Sequence, residues 1–325
     1  MPQRNVVEAI NSALADEMQA DERIMVLGLD VGKLGGVFRT TSGLIEKFGS
    51  ERVVDTPLAE ASIVGASLGL ALAGMVPVAE IQFLGFTAQA FHQIGPQLGK
   101  YRQRSRGRYH CQVTIRAPFG GGIRSPEFHS DAVEAQFVQS PGIKIVMPSN
   151  PYDAKGLLIE AIRDPDPVLF CEPDRLYRSG KAEVPDGAYT VPFGKASLVR
   201  EGDNVTLVAW SAAVELCLRA ADALAADGIS AAVLDLRTLV PLDVETLCTQ
   251  VAKTGRCVVV HEAPLSAGFG AEVSATLMEE VFYDLDAPVA RVGAFDVPFP
   301  AASLEDHYLP SVDRVVKAVK RTLES

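Results

Sequence analysis

Residues 53–75 constrain the fold more than any other part of the chain. A short β-branched run is followed by Thr56-Pro57 and then by a segment so rich in Ala, Gly and Leu that Glu60 is its only charged residue. The pattern predicts a strand that leads into a helix, with Thr56 as N-cap, Pro57 as the first helical residue, and burial on nearly every side. Because small residues allow close approach of another backbone, we expect this helix to pack against a second chain.

Glu60 is open to two interpretations. Acidic residues are common in the first turn of a helix, where the positive end of the helix dipole stabilises them. Glu60, however, falls one position past the slot of a capping box that starts at Thr56. A carboxylate among apolar residues is costly unless something pairs with it, so a ligand is the alternative partner.

Composition excludes several classes of protein. The 325 residues suffice for two domains, and a net charge of −11 argues against nucleic acid as a partner. The basic tract 100–108 is then interpreted as a solvated or interface segment. No apolar run is long enough to cross a membrane, no signal-peptide core follows Met1, and the five cysteines form no Cys-x-x-Cys pair. We therefore expect a cytoplasmic protein without membrane contact.

Strand and helix patterns alternate along the chain, which predicts an α/β fold of two domains, each a mostly parallel sheet with helices on both faces. A polar, proline-bearing stretch at 183–192 places the boundary between domains 1–185 and 186–325. The strands are predicted at 23–28, 53–55, 76–83, 111–116, 143–147, 168–171, 205–210, 230–236, 257–261 and near 289. Besides the helix that starts at Thr56, helices are predicted at 5–20, 44–48, 87–98, 151–162, 213–226, 244–252, 271–282 and 312–323.

Further candidate residues lie in the loops. Asp131 and Glu134 have capping-box spacing, which predicts that His129 precedes a helix N-terminus. Glu80 and Gln82 share one face of a predicted strand, either at an exposed edge or toward a ligand. The glycines at 120–122 lack the Gly-Lys-Ser/Thr of a phosphate loop and indicate a mobile loop. His261-Glu262 could resemble an active-site pair, although a loop-anchoring role is favoured.

Several motifs follow one another in a specific order. They are Asp55-Thr56-Pro57-Leu58-Ala59-Glu60, Glu80-Ile81-Gln82-Phe83, Lys100-Tyr101-Arg102-Gln103-Arg104-Ser105, His129-Ser130, and the segments 151–158, 235–241 and 295–300. Together they resemble, over nearly the whole chain, the beta subunit of the thiamine-dependent decarboxylating component of 2-oxoacid dehydrogenase complexes. The second and third motifs look more like branched-chain members, while acetoin and pyruvate enzymes are close relatives.

The resemblance implies a fold and an activity. The fold would be a transketolase-like pyrimidine-binding domain followed by a transketolase C-terminal-like domain. The activity would be oxidative decarboxylation of a branched-chain 2-oxoacid, of the 3-methyl-2-oxobutanoate dehydrogenase type, with reductive acylation of a lipoyl domain. A pyruvate or acetoin dehydrogenase beta subunit is the alternative. A third hypothesis is a non-catalytic scaffold that anchors an alpha chain to the acyltransferase core.

The resemblance also implies roles for single residues. Glu60 would hydrogen-bond the pyrimidine N1′ of thiamine diphosphate, Leu58 and Phe86 would pack on that ring, and Gln82 would lie near it. His129 would face the reacting carbon and serve proton transfer or acylation. The stretch from Phe86 to Gln89 would shape the substrate pocket.

Partners and metals follow from the same resemblance. The chain contains no Gly-Asp-Gly motif, so an alpha subunit would hold Mg²⁺ and the diphosphate, in an α2β2 tetramer docked on a lipoyl acyltransferase core. A potassium site near Thr114 and Asp164 is also implied. The chain departs from its relatives at Leu29, where a polar residue is usual, and at Gly85, where an acid is common.

Overall fold

The computed structural model describes residues 1–324, and its strands form two main β-sheets. In chain order the strands are β1 (Gln3–Arg4), β2 (Ile24–Gly28), β3 (Val53–Asp55), β4 (Val76–Glu80), β5 (Thr114–Phe119), β6 (Lys144–Val146), β7 (Val168–Pro173), β8 (Ala182–Glu183), β9 (Ser197–Arg200), β10 (Val205–Ala209), β11 (Ala231–Asp235), β12 (Thr238–Val240), β13 (Cys257–Pro264) and β14 (Ala290–Ala294).

The first sheet has seven strands in the order β12-β6-β7-β5-β4-β2-β3, and the second has five in the order β14-β13-β10-β11-β9. All pairs are parallel except the two edge pairs, β12 with β6 and β11 with β9. Strands β2, β4, β5 and β7 are buried along their whole length, as expected for a parallel sheet covered on both faces. The predicted α/β fold is confirmed.

Helices connect the strands. In chain order they are α1 (Val6–Ala20), α2 (Leu44–Phe48), α3 (Glu60–Leu72), α4 (Lys100–Arg104), α5 (Ala135–Val138), α6 (Pro151–Arg163), α7 (Ala212–Ala226), α8 (Val244–Thr254), α9 (Phe269–Glu280), α10 (Glu305–Tyr308) and α11 (Val312–Leu323). Asn5 and Glu8 cap α1 with a capping box that the sequence analysis did not identify. No helix within residues 1–324 combines the length and the apolar character needed to span a bilayer.

The two sheets share one hydrophobic core. A single cluster of buried side chains contains Ile115 and Leu169 of the first sheet together with Val208, Leu234 and Val259 of the second. The first sheet also takes its edge strand β12 from beyond residue 186. A domain boundary at residue 185 stays a prediction. The halves of the chain before and after this residue are in close contact, and we call the contact region between them the seam.

Several predicted boundaries are wrong, and three of them lie close to the predicted site residues. Helix α3 begins at Glu60, not at Pro57, because the Thr56 N–H bonds to the Gly28 carbonyl at 2.9 Å and keeps the chain extended past β3. Strand β4 ends at Glu80, where its partner β2 also ends. The predicted helix 87–98 is a 3₁₀ helix at Leu84–Ala90 followed by a π-helix at Gln93–Gly99, which contains Pro96, a residue without an N–H to donate.

The chain itself covers only one side of α3. Its buried residues are Glu60, Ile63, Val64 and Ser67, whereas Ala66 and Gly69 are exposed. A side chain placed at Gly69 would meet no atom within 4 Å. Within this single chain the helix is not buried on nearly every side, and an apolar helix face is left open; its burial by a second chain stays a prediction.

Candidate active site

The predicted site residues lie beyond the carboxyl ends of three parallel strands of the first sheet. Glu60 follows β3, Phe86 follows β4 and His129 follows β5. Helix α3 packs against the Leu84–Ala90 helix, which in turn packs against the turn that carries His129. This edge is where open α/β sheets bind ligands, because the loops that leave the strands meet there.

Glu60 is a buried carboxylate without a partner. It is the first residue of α3 and only 6% exposed, and its Oε2 has no hydrogen bond. The preceding N-cap, Ala59, provides no side-chain bond to the helix. A carboxylate held in this way at the positive end of a helix is ready to bond to a donor from outside the chain.

His129 is held by aromatic rings. It ends a 3₁₀ turn at Glu127–His129, and its ring centroid lies 4.4 Å from that of Phe83 and 5.2 Å from that of Phe86. Its Nδ1 is buried and has no hydrogen-bond partner. Since Nε2 is not buried in this way, it is the ring nitrogen that a substrate can reach.

The capping box predicted for Asp131 and Glu134 is wrong. Helix α5 begins only at Ala135, and Glu134 makes no side-chain cap bond. The Asp131 carboxylate instead packs beside Gly85, and Glu134 is fully buried. Glu134 is thus the N-cap residue of α5 without capping it through its side chain, and His129 does not directly precede a helix N-terminus.

Gly85 permits the close approach of these two segments. A Cβ at this position would lie 2.7 Å from the Phe128 carbonyl oxygen and 3.2 Å from Asp131 Oδ2. Any side chain here would push the Leu84–Ala90 helix away from the turn that carries His129.

The other residues predicted for the site differ in exposure. Leu58 is 64% exposed, Gln89 is exposed, and Gln82 and Phe86 are half-buried. Their proposed contacts with a cofactor or substrate stay predictions. A groove of about 740 Å³ opens between the segment at Ala88, the segment at Ala132 and the loop at Ala263, but neither Glu60 nor His129 lines it.

The two residues predicted to bind potassium belong to different elements, and one of them is already paired with a cation. Thr114 begins β5 and is buried, while Asp164 is the C-cap of α6. Lys144 Nζ donates to both carboxylate oxygens of Asp164, at 2.6 and 2.7 Å. Because a cationic side chain already balances this charge, the potassium site stays a prediction without support from the geometry.

Behind the site lies an ionic cluster that the sequence analysis missed. Arg116, 1% exposed, donates from Nη1 to Glu80 at 2.9 Å, and from Nε and Nη2 to Glu172 at 2.6 and 3.0 Å. The Tyr177 hydroxyl donates to Glu172 at 2.5 Å. We call these four residues the closed ionic cluster. Glu80 is therefore not at an exposed edge. Burial raises the pKa of its carboxyl above the ordinary value, and this effect outweighs the opposite effect of the Arg116 charge.

A second group of acids lies at the seam. Glu262 Oε2 accepts a hydrogen bond from the Gly121 N–H at 3.1 Å, and Glu305 accepts one from the Gly122 N–H. The glycine loop is thus tied to the second half rather than mobile, and Glu262 anchors a loop as predicted. Glu134 and Asp174 are also buried here, and neither forms an ion pair within residues 1–324. We call Glu134, Asp174, Glu262 and Glu305 the seam carboxylates.

Comparison with known proteins gives consistent results. Residues 3–180 match the family model of the transketolase pyrimidine-binding domain, and residues 194–315 match that of the transketolase C-terminal domain. The pyruvate dehydrogenase E1 component subunit beta of Staphylococcus epidermidis and that of Bacillus subtilis (strain 168) are each 49% identical to this chain over 324 residues, covering 100% of both sequences.

Two solved structures resemble the fold. A chain described as split gene transketolase, inactive beta4 tetramer, superposes with a TM-score of 0.81 at 28% identity and covers 99% of both chains. A mutant of transketolase from Pichia stipitis gives a TM-score of 0.71 at 13% identity, covering 100% of this chain and 46% of that chain. The second likeness concerns the fold alone.

Proposed function

This chain belongs to the transketolase-like family of beta subunits of 2-oxoacid dehydrogenase E1 components, and on that premise we propose that it acts on pyruvate together with an alpha subunit. The reaction is oxidative decarboxylation with transfer of the acetyl group to a lipoyl domain. The names of the relatives support pyruvate over the branched-chain substrate suggested by the motifs. The buried, unpartnered carboxylate of Glu60 is the observation that carries the proposal.

The residues of this chain fit the pyrimidine half of thiamine diphosphate. When bound, this cofactor supplies the carbon nucleophile and the electron sink that the loss of CO₂ requires. Glu60 would bond to the pyrimidine N1′, which gives its unpartnered Oε2 a donor. Leu58 and Phe86 would provide apolar contacts and Gln82 an amide. In a site with little water, the bond to Glu60 is stronger than it would be in solvent.

His129 is the proposed acid–base group. Its Nδ1 is buried against the protein, so Nε2 would exchange a proton with the substrate or with the lipoyl group. Phe86 and Gln89 would line the space for the substrate.

An alpha subunit would complete the site. The open face of α3 and the 64% exposed side chain of Leu58 leave apolar surface that a second chain would cover. We propose that this chain is the alpha subunit, that it holds Mg²⁺ and the diphosphate, and that two copies of each chain form an α2β2 tetramer. The tetramer would dock on a lipoyl acyltransferase core through the second half of this chain.

A substrate comparison tests the proposal. The chain is co-expressed with an alpha subunit of its own organism, and turnover of pyruvate and 3-methyl-2-oxobutanoate is measured by CO₂ release and lipoyl acylation. We expect kcat/KM for pyruvate to be at least about tenfold higher, because two extra methyl groups must be excluded by the pocket. A higher value for 3-methyl-2-oxobutanoate would contradict the choice of pyruvate but retain the reaction class.

A paired substitution tests the role of Glu60. Glu60→Gln removes the charge from the buried position, and Glu46→Gln removes an exposed charge from the first turn of α2. We expect Glu60→Gln to lower kcat by about a hundredfold or more and Glu46→Gln to change it less than about twofold. Full activity of Glu60→Gln would instead support a scaffold subunit that leaves catalysis to other chains.

A further inference from the structure

The orientation of the His129 ring has no hydrogen bond to explain it. Active-site histidines usually have one ring nitrogen fixed by a carboxylate or a carbonyl, and that bond sets the direction of the other nitrogen. Here Nδ1 is buried without any partner. Packing against neighbouring side chains must therefore set the orientation of the imidazole.

Phe83 makes the closer of the two ring contacts with His129. Its centroid lies 4.4 Å from the imidazole centroid at an interplanar angle of 64°, whereas Phe86 lies 5.2 Å away at 78°. Phe83 is 6% exposed, while Phe86 is half-buried and borders the proposed cofactor. The imidazole of His129 therefore packs most closely against Phe83, which is the more buried of the two phenylalanines.

Phe83 is itself held from behind by further rings. Its centroid lies 5.8 Å from that of Phe38 in an edge contact, and Phe38 lies 4.8 Å from Tyr177. The Tyr177 hydroxyl bonds to Glu172, which belongs to the closed ionic cluster. An unbroken series of contacts therefore runs from a buried ion pair in the sheet to the imidazole.

We propose that Phe83, supported by Phe38, is the positioning residue that fixes the orientation of the His129 ring. With the ring held against Phe83 and Nδ1 buried, Nε2 is the nitrogen left to face the substrate. This inference rests on the proposed function, because it assigns Phe83 a role through the acid–base group of that reaction. Nothing in the resemblance to known proteins assigned a role to this phenylalanine.

The test replaces the ring and observes His129 directly. Phe83→Leu removes the ring edge, and Phe91→Leu is the matched control, since Phe91 packs on Phe137 at 5.4 Å and makes no ring contact with His129. The chain contains five histidines, so a tetramer in which only this chain carries ¹³Cε1-labelled histidine gives at most five signals. The His129 signal is assigned by its loss in His129→Gln.

We expect the His129 signal to broaden or split in Phe83→Leu and to stay a single line in Phe91→Leu. Lipoyl acylation should fall about tenfold to a hundredfold in Phe83→Leu, because misplacing a reacting group by about 1 Å costs that much. The affinity for thiamine diphosphate should change less than about threefold, since Glu60 is untouched. A loss of affinity equal to the loss of rate would overturn the proposal in favour of a general disruption of the site.

A second variant guards against misfolding. Phe38→Leu keeps the Phe83 ring and removes only its support, so we expect a smaller loss of acylation, about threefold, with a broadened His129 signal. Combined with Phe83→Leu it should add almost nothing, because both substitutions act through one contact. Independent, additive losses would overturn the series of contacts described above.

The positioning role of Phe83 and the proposed function can be refuted separately. A sharp, unshifted His129 signal in both Phe83→Leu and Phe38→Leu would refute positioning, whatever the substrate. If the unsubstituted tetramer turned over no 2-oxoacid, the proposed function would fail. The histidine spectra alone would then decide whether Phe83 orders the ring.

Discussion

The closed ionic cluster and the seam carboxylates are both buried groups of acids, yet they are satisfied very differently. In the closed ionic cluster one guanidinium binds Glu80 and Glu172, and a tyrosine hydroxyl adds a further bond. At the seam four acids share little countercharge: the guanidinium of Arg175 lies 3.4 Å from Glu262, and that of Arg124 lies 3.8 Å from Glu305. The two regions therefore differ in how far their buried carboxylates are paired with cations, and not in burial alone.

The difference changes how each region responds to pH. Burial raises the pKa of Asp174 to about 9, with the charge of Glu262 adding to the effect, and burial raises the pKa of Glu134 to about 7. Both groups thus keep a proton in the folded chain at a pH where the unfolded chain has lost it. At the seam, Glu134 and Asp174 avoid a buried negative charge by keeping a proton. In the closed ionic cluster, the positive charge of Arg116 balances the two glutamates.

The largest effect is expected for Arg116→Met. The substitution leaves Glu80 and Glu172 buried without their cation, and we expect the free energy of unfolding to fall by about 3–5 kcal/mol. Urea unfolding measures this loss. The matched control, Arg102→Met, breaks the half-exposed pair with Asp166 and should cost less than about 1 kcal/mol. Equal losses would mean that the two pairs do not differ in burial as described.

Asp174→Asn should act in the opposite direction. Because the folded chain holds a proton on Asp174 up to about pH 9 and the unfolded chain releases it near pH 4, the free energy of unfolding falls as pH rises between these values. The asparagine needs no proton, so we expect the variant to be more stable than the unsubstituted chain by about 2–3 kcal/mol at pH 8 and nearly equal at pH 4.

The fluorescence of Trp210 suits this measurement, because Trp210 is the single tryptophan of the chain. Its ring stacks at 5.2 Å on that of His261, which directly precedes the seam carboxylate Glu262. Unfolding curves at pH 5, 7 and 8.5 give the slope of stability with pH. A slope unchanged by Asp174→Asn would show that Asp174 is ionised in the folded chain, and the contrast with the closed ionic cluster would fail.

Tyr177→Phe should have the smallest effect. The substitution keeps the ring contact with Phe38 and removes one hydrogen bond to Glu172, which retains both bonds to Arg116. We expect a loss of about 1.5 kcal/mol in the free energy of unfolding, typical of a hydrogen bond to a charged group. Urea unfolding at pH 7 measures it, and a loss as large as that of Arg116→Met would make the tyrosine an equal partner in the cluster.

The sequence predicted much of the fold because local pattern is strong in this chain. The alternation of β-branched runs with amphipathic segments predicted β2, β10, β11, α1, α7 and α11 to within a residue or two. The short strands β1, β8, β9 and β12 were missed, since each is only two to four residues long and pairs at an edge or with a distant segment. Such pairings leave no periodic signal in a window of sequence.

The candidate site was predicted only in part. Motif order singled out Glu60 and His129 as candidates, but the sequence could not indicate that Asp131 and Glu134 form no capping box, or that Gly85 lets the two segments meet. Phe83 belongs to one of the ordered motifs, but the sequence assigned no role to this residue. Its importance depends on Phe38, which lies 45 positions away and meets it only in the folded chain.

The sequence by itself determined the order of elements, the family, and the one acidic residue at the start of an apolar helix, because each of these depends on neighbouring residues or on ordered motifs. The tertiary structure alone decided which buried acids are paired. Glu80 and Glu172 meet Arg116 because β4, β5 and β7 lie side by side in register, whereas Asp174 and Glu134 form no ion pair with any residue that the structure describes. Ionic pairing depends on distances of a few ångströms between remote residues, and only folding sets those distances.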